Sequence, residues 1–193
     1  SSANRRDAEA LSMEINQKIF SASLRLCGEL LRSKIDGRCR MVLIKEENII
    51  IEDMKEDDLF DVMKIEKEAF SDPWTIDMFY SELFNPISLF WGVKDISGRL
   101  IGYISFWRVV DEAHLLNLAV DQSFRRKGIG SKILLTSIDY WKKEGIKTVL
   151  LEVRRSNKAA QELYEKYGFN VIVVRPRYYK NPVEDALVMA LEL

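Results

Sequence analysis

Leu115-Leu116-Asn117-Leu118-Ala119-Val120, then Asp121-Gln122-Ser123-Phe124, then Arg125-Arg126-Lys127-Gly128-Ile129-Gly130: the reading of this stretch sets the fold. The apolar run reads as a strand. Beyond the glycines, Ile129, Ile133, Leu134, Ile138 and Trp141 recur at helical spacing as far as Gly145. A basic, glycine-opened turn therefore joins a strand to a helix, and such a corner suits phosphate. Gly128 and Gly130 let ligand oxygens approach the main chain, while the first N–H groups and positive dipole end of the helix face them. Arg125, Arg126 and Lys127 add charge complementarity. Gly128-Ile129-Gly130-Ser131-Lys132 matches neither the triphosphate-loop pattern G-x-x-x-x-G-K-[ST] nor the dinucleotide pattern G-x-G-x-x-G.

Outward from this corner the chain alternates between strand and helix. Residues 48–54 read as a strand, 57–70 and 75–84 as helices with Asp72-Pro73-Trp74 as the turn between them. Residues 89–94 and 100–110 read as strands joined through Ser97-Gly98, and the near-continuous apolar runs at 100–107 and 115–120 predict strands covered on both faces. After the central helix, 148–153 is a strand, 157–167 a short helix closed by Gly168, and 169–174 and 186–191 are strands. The sum is a mixed α/β sheet flanked by helices.

Residues 1–40 differ from the rest. Ala8, Leu11, Ile15, Ile19, Ala22, Leu26 and Leu30 share one face of an amphipathic helix that stops at Asp36-Gly37, so the expected organisation is a helical extension over 1–40 and a compact domain over 41–193. The 193 residues, 47% hydrophobic, suffice for one substantial core. Lys and Arg number 29 against 30 Asp and Glu, a formal net charge of -1, which argues against nucleic acid as a partner. Cys27 and Cys39 form no C-x-x-C pair and only one histidine is present, so neither a metal site nor a disulfide framework is expected, and a reducing cytoplasm is the natural compartment. No apolar run has the length of a membrane span, and the residues around Asn4-Arg5-Arg6-Asp7 lack a signal-peptide core.

Chemistry can reside at few positions. Glu152 interrupts Val149-Leu150-Leu151-Glu152-Val153; a carboxylate in so apolar a run is expected to lose hydration and become a better proton acceptor, unless it pairs with Arg154 on the same strand face. Tyr164 shares a helix side with Ala160, Leu163 and Tyr167 and is either a proton donor or a core aromatic. Asn157 stands at that helix's capping position. Tyr178-Tyr179, expected in the connection between the last two strands, and Trp74 in the early turn can make rigid amphipathic contacts to a peptide. His114 receives no role.

In order along the chain, Asn117-Leu118-Ala119-Val120-Asp121, Arg125-x-x-Gly128-x-Gly130, Leu151-Glu152-Val153-Arg154-x-Ser156-Asn157, Leu163-Tyr164-x-x-x-Gly168-Phe169 and Tyr178-Tyr179 before Glu184-Asp185-Ala186 closely resemble the GNAT superfamily of N-acetyltransferases. Within it the match is to the bacterial RimI type, which acetylates the N-terminal alanine of a small-subunit ribosomal protein. The resemblance covers about residues 48–193 and leaves the first forty aside.

It implies acetyl-CoA as donor, with the pyrophosphate on Arg125, Arg126, Lys127, Gly128, Ile129 and Gly130, and the pantetheine arm along the main chain of Leu118, Ala119 and Val120. It further implies Glu152 as general base, Tyr164 as general acid, Asn157 as a cofactor contact, and Tyr178, Tyr179 and Trp74 as walls of the acceptor groove, with no metal. An α-amino acceptor suits such chemistry, since with a pKa of about 7.7 to 8.0 roughly a tenth of it is neutral at pH 7. Two other readings remain at this level: acetylation of lysine or a small amine, and a non-catalytic module that binds acetyl-CoA and recruits a partner through its N-terminal helix.

Overall fold

The computed structural model describes residues 42–46 and 49–193, so the expected N-terminal helix lies outside the described residues, as do both cysteines. One eight-stranded sheet carries the rest, in the order β1-β2-β3-β4-β5-β6-β8-β7. Its strands are β1 (Val42–Glu46), β2 (Ile49–Asp53), β3 (Ser88–Asp95), β4 (Leu100–Val109), β5 (Glu112–Val120), β6 (Thr148–Arg154), β7 (Asn170–Lys180) and β8 (Val183–Glu192). The helices are α1 (Leu59–Ala69), α2 (Ile76–Phe84), α3 (Ile129–Lys143) and α4 (Lys158–Lys166). Every pairing is antiparallel except β5 with β6, so the sheet is mixed, as the alternation of strand and helix requires.

Both faces of the central strands are covered, whereas β7 at the sheet edge stays exposed. On one, Ile101, Ile104, Phe106, Val149, Leu151 and Val153 pack with Ile133, Leu134 and Trp141 of α3 and Tyr164 of α4. On the other, Phe90, Leu100, Tyr103 and Ala119 pack with Leu59, Val62 and Ile65 of α1 and Phe79 of α2. This two-sided cover is why β4 is buried from Leu100 to Phe106 and reads as a continuous apolar run. Gly102 is needed there for space, because a Cβ would stand 2.9 Å from the Ala119 carbonyl oxygen of β5.

Three expectations change. Residues 56–58 form a 3-10 turn ahead of α1, and β1, with no alternating pattern long enough to declare it, pairs with β2 at the sheet edge. Tyr178 and Tyr179 are not in a loop: β7 continues through a bulge between Arg175 and Tyr179, and Tyr179 pairs with Glu184 of β8. The bulge absorbs Pro176, which has no N–H for the ladder, and Arg177, whose φ is 52°. Among the described residues, no helix is long and apolar enough to cross a membrane.

Candidate active site

The parallel pairing of β5 with β6 runs only from Glu112↔Thr148 to Leu115↔Leu151. β5 continues to Val120 and β6 to Arg154, so the strands part at this point and a crevice opens in the sheet. A bulge in β5 lies at the same place, where the register passes from Ser105↔Asn117 to Phe106↔Leu115. The crevice thus exposes main chain of Leu118, Ala119 and Val120 beyond the last shared bond, where an extended amide-bearing chain can pair with it.

At the mouth stands the glycine corner. Gly128 has φ 81° in the left-handed region and caps α3, and Arg126 shares that backbone region at φ 62°. A Cβ on Gly128 would meet nothing within 4 Å, so the space in front of the main chain is open. The first hydrogen bond of α3 runs from Lys132 N–H to the Gly128 carbonyl at 3.0 Å, which leaves the amides of Ile129, Gly130 and Ser131 at the helix's open end. The cations differ in attachment. Arg125 Nε donates to the Val120 carbonyl at 2.9 Å and braces the corner, while Lys127 Nζ lies 4.9 Å from the Phe124 ring centroid. Gly130 also brings in α4, since a Cβ there would lie 3.5 Å from Leu163 Cδ2 and 3.9 Å from Val120 Cγ2. The end of β5, the start of α3 and the inner side of α4 therefore converge.

Tyr164, next to Leu163, is buried to 7% exposure and packs on Phe169 with ring centroids 5.6 Å apart. Burial, then the nearby Tyr179, push its hydroxyl pKa well above the ordinary tyrosine value, so it holds its proton at neutral pH. Asn157 does what its position asks: Oδ1 accepts from the Ala160 N–H at 3.2 Å and caps α4.

Glu152 is on the opposite face of β6 from Leu151 and Val153, toward α1 and α2. The alternative that it pairs with Arg154 does not hold; its partner is Arg175, whose Nη1 donates to Glu152 Oε1. Arg154 is spent elsewhere: it lies over the Tyr179 ring at 4.0 Å, pairs with Glu184 at 3.4 Å, and donates to the Asn181 and Pro182 carbonyls at 2.9 and 3.2 Å. It braces the β7–β8 turn. Tyr178 hydrogen-bonds toward Glu152, and burial, then that bond, raise its pKa; burial and the charge of Glu152 push Tyr179 up to about 12. The two tyrosine rings meet edge to face at 5.2 Å.

Trp74 closes the α1–α2 side, its ring 5.2 Å from Phe79. Ser71 Oγ donates to the Asn181 carbonyl at 3.3 Å, so the turn that carries Trp74 touches the turn that follows the tyrosines. Sequence reading missed Glu66, which is buried beneath this turn and accepts from Trp74 N–H at 2.8 Å and from the Tyr103 hydroxyl. The signal was available, since Glu66 falls on the apolar stripe Leu59, Val62, Ile65 of α1.

Comparison with known proteins places the chain in a family. The model of the acetyltransferase (GNAT) family matches residues 59–169. The [ribosomal protein bS18]-alanine N-acetyltransferase of Escherichia coli (strain K12) is 37% identical over 145 residues, covering 74% of this chain and 97% of that protein. The crystal structure of the ribosomal-protein-S18-alanine N-acetyltransferase from Escherichia coli superposes with a TM-score of 0.69 at 35% identity, over 75% of this chain and 93% of that one. The NatC complex bound to Gag peptide and CoA contains a chain with a TM-score of 0.65 at 26% identity, over 75% of this chain and 98% of that one. With a matching family model, relatives that align almost end to end and a sheet that parts beside a glycine corner, the chain belongs to the acetyltransferase (GNAT) family.

Proposed function

We propose that this protein transfers the acetyl group of acetyl-CoA to the N-terminal α-amino group of a protein, the N-terminal alanine of a small-subunit ribosomal protein being the acceptor, in the cytoplasm. The relatives named for ribosomal protein bS18 support the acceptor. One observation supports the chemistry: the Glu152 carboxylate stands beside the parting of β5 and β6, with paired tyrosines next to it.

The corner fits a diphosphate by its donor set, since the amides of Ile129, Gly130 and Ser131 lie open before a glycine-cleared space and the cations Arg126 and Lys127 directly precede it in the chain. Arg125 would serve by bracing that corner, Leu118, Ala119 and Val120 would hold the pantetheine arm, and Asn157 would contact it while capping α4. When bound, the coenzyme supplies an acetyl group activated as a thioester.

Glu152 receives the proton that the acceptor ammonium must lose before its nitrogen can form the new C–N bond, directly or through water. Tyr164, kept protonated by burial, supplies a proton to the sulfur as the C–S bond breaks. Trp74, Tyr178 and Tyr179 wall the acceptor and orient its first residues; such positioning can contribute up to about 7 to 11 kcal/mol.

The test is mass spectrometry of peptides incubated with protein and acetyl-CoA. A peptide with a free N-terminal alanine gains one acetyl group, and the same peptide with a blocked N-terminus and an internal lysine does not. Acetylation of the lysine peptide alone would replace this reading with a side-chain acetyltransferase.

A further inference from the structure

We propose that Glu66 is a positioning residue for the acceptor: its buried carboxylate fixes the main chain of Trp74 against the sheet and so sets the wall on which the acceptor's first side chain packs. This rests on the N-terminal acetyltransferase reading. Glu66 is 1% exposed, and the groups that act on its carboxylate are the Tyr103 hydroxyl and the Trp74 N–H, both neutral. A carboxylate so placed costs the fold desolvation that no opposite charge offsets, so stability alone does not account for it.

What it holds is specific. Oε1 accepts from Trp74 N–H at 2.8 Å and Oε2 accepts from the Tyr103 hydroxyl. Tyr103 is on β4, and the Asn117 side chain of β5 acts on its hydroxyl. Asn117 directly precedes the Leu118–Val120 segment at the crevice. One carboxylate thus connects the acceptor wall to the strand that lines the crevice. Two further bonds hold the same turn: Thr75 Oγ1 accepts from Met78 N–H at 3.4 Å at the start of α2, and Ser71 meets Asn181. With Glu66 removed, the part-buried Trp74 N–H loses its acceptor and the Trp74 segment is tied only at its ends.

Steady-state kinetics of Glu66→Leu, Glu66→Gln and Tyr103→Phe on an alanine-starting peptide decide the matter. Glu66→Leu is expected to raise the peptide KM about tenfold with the acetyl-CoA KM unchanged. Glu66→Gln, whose Oε1 still accepts from Trp74 N–H, restores most of that loss, and Tyr103→Phe raises the peptide KM about threefold. A purely structural role would lower the active fraction, and hence apparent kcat, at constant KM in all three. That pattern, or an unchanged peptide KM in Glu66→Leu or in Tyr103→Phe, overturns the proposal. If Glu66→Leu yields no folded protein, Tyr103→Phe and Glu66→Gln carry the test. A wild-type protein inactive on every free N-terminus would refute the N-terminal acetyltransferase reading instead, an outcome read before any variant is compared.

Discussion

The guanidinium of Arg175 on β7 hydrogen-bonds the carboxylate of Glu152 on β6, reaching across β8, which lies between those strands. Two strands distant in sequence thereby aim one carboxylate. The pair is partly open to water, with side-chain exposures of 42% for Arg175 and 29% for Glu152. Its consequence is orientation more than stability, because exposed ion pairs contribute about 0 to 1 kcal/mol.

Arg175→Met is therefore expected to lower kcat/KM for the peptide about tenfold, through a loosened Glu152 carboxylate, the proposed base, while the unfolding free energy changes by less than about 1 kcal/mol. Peptide kinetics beside urea unfolding check both halves. A stability loss without a kinetic one would reverse the interpretation.

Glu152→Gln and Tyr164→Phe each remove one of the two proposed proton-transfer groups and leave the glycine corner untouched. Each is expected to reduce kcat about a hundredfold or more, with acetyl-CoA affinity by calorimetry within about twofold of wild type. Unchanged turnover in both would remove these assignments.

Gly128→Ala isolates backbone conformation, since a Cβ would find open space but φ is 81°. A stability loss of about 1 kcal/mol is expected from the left-handed geometry alone. Because α3 starts there, acetyl-CoA affinity should also fall, and urea midpoints with calorimetry report the two effects.

Burial raises the Glu66 pKa above its ordinary value, against the lowering effect of its bonds to Tyr103 and Trp74. A carboxyl group whose folded pKa exceeds its unfolded one favours folding while protonated, and that contribution is lost as pH rises from the unfolded pKa through the folded one. Glu66→Gln cannot ionise. Its stability relative to wild type should therefore increase as pH climbs above about 4.3, the unperturbed glutamate value, and then level off. Urea denaturation between acid and neutral pH tests the sign, and a relative stability that falls with pH would contradict it.

Much of this molecule is legible locally. The spacing of Ile129, Ile133, Leu134, Ile138 and Trp141 marks α3, and Thr75 and Asn157 mark the starts of α2 and α4, where each side chain accepts a capping bond. The hairpin at Ser97-Gly98 likewise follows from Gly98 adopting φ 85°. These features depend on bonds within a few residues, so the order of side chains along the chain specifies them.

Which side chains meet across strands does not follow from that order. Arg154 is two residues from Glu152 and on the same strand face, yet Arg175 takes the carboxylate: β8 sets a register in which Arg175 and Arg154 both stand level with Ala186, and the long Arg175 side chain reaches diagonally to Glu152. The same holds for Glu66, which shows one polar letter on an apolar stripe, while its two donors come from a turn eight residues on and a strand thirty-seven residues on. Sequence alone determined most of the elements and the glycine corner, since local sterics and periodicity act at short range, while Glu152 and Tyr164 stood out as a pair through the family resemblance. Tertiary structure decided how β5 and β6 part, what holds Glu152 and what anchors Trp74, since those depend on register and on burial that only the packed sheet creates.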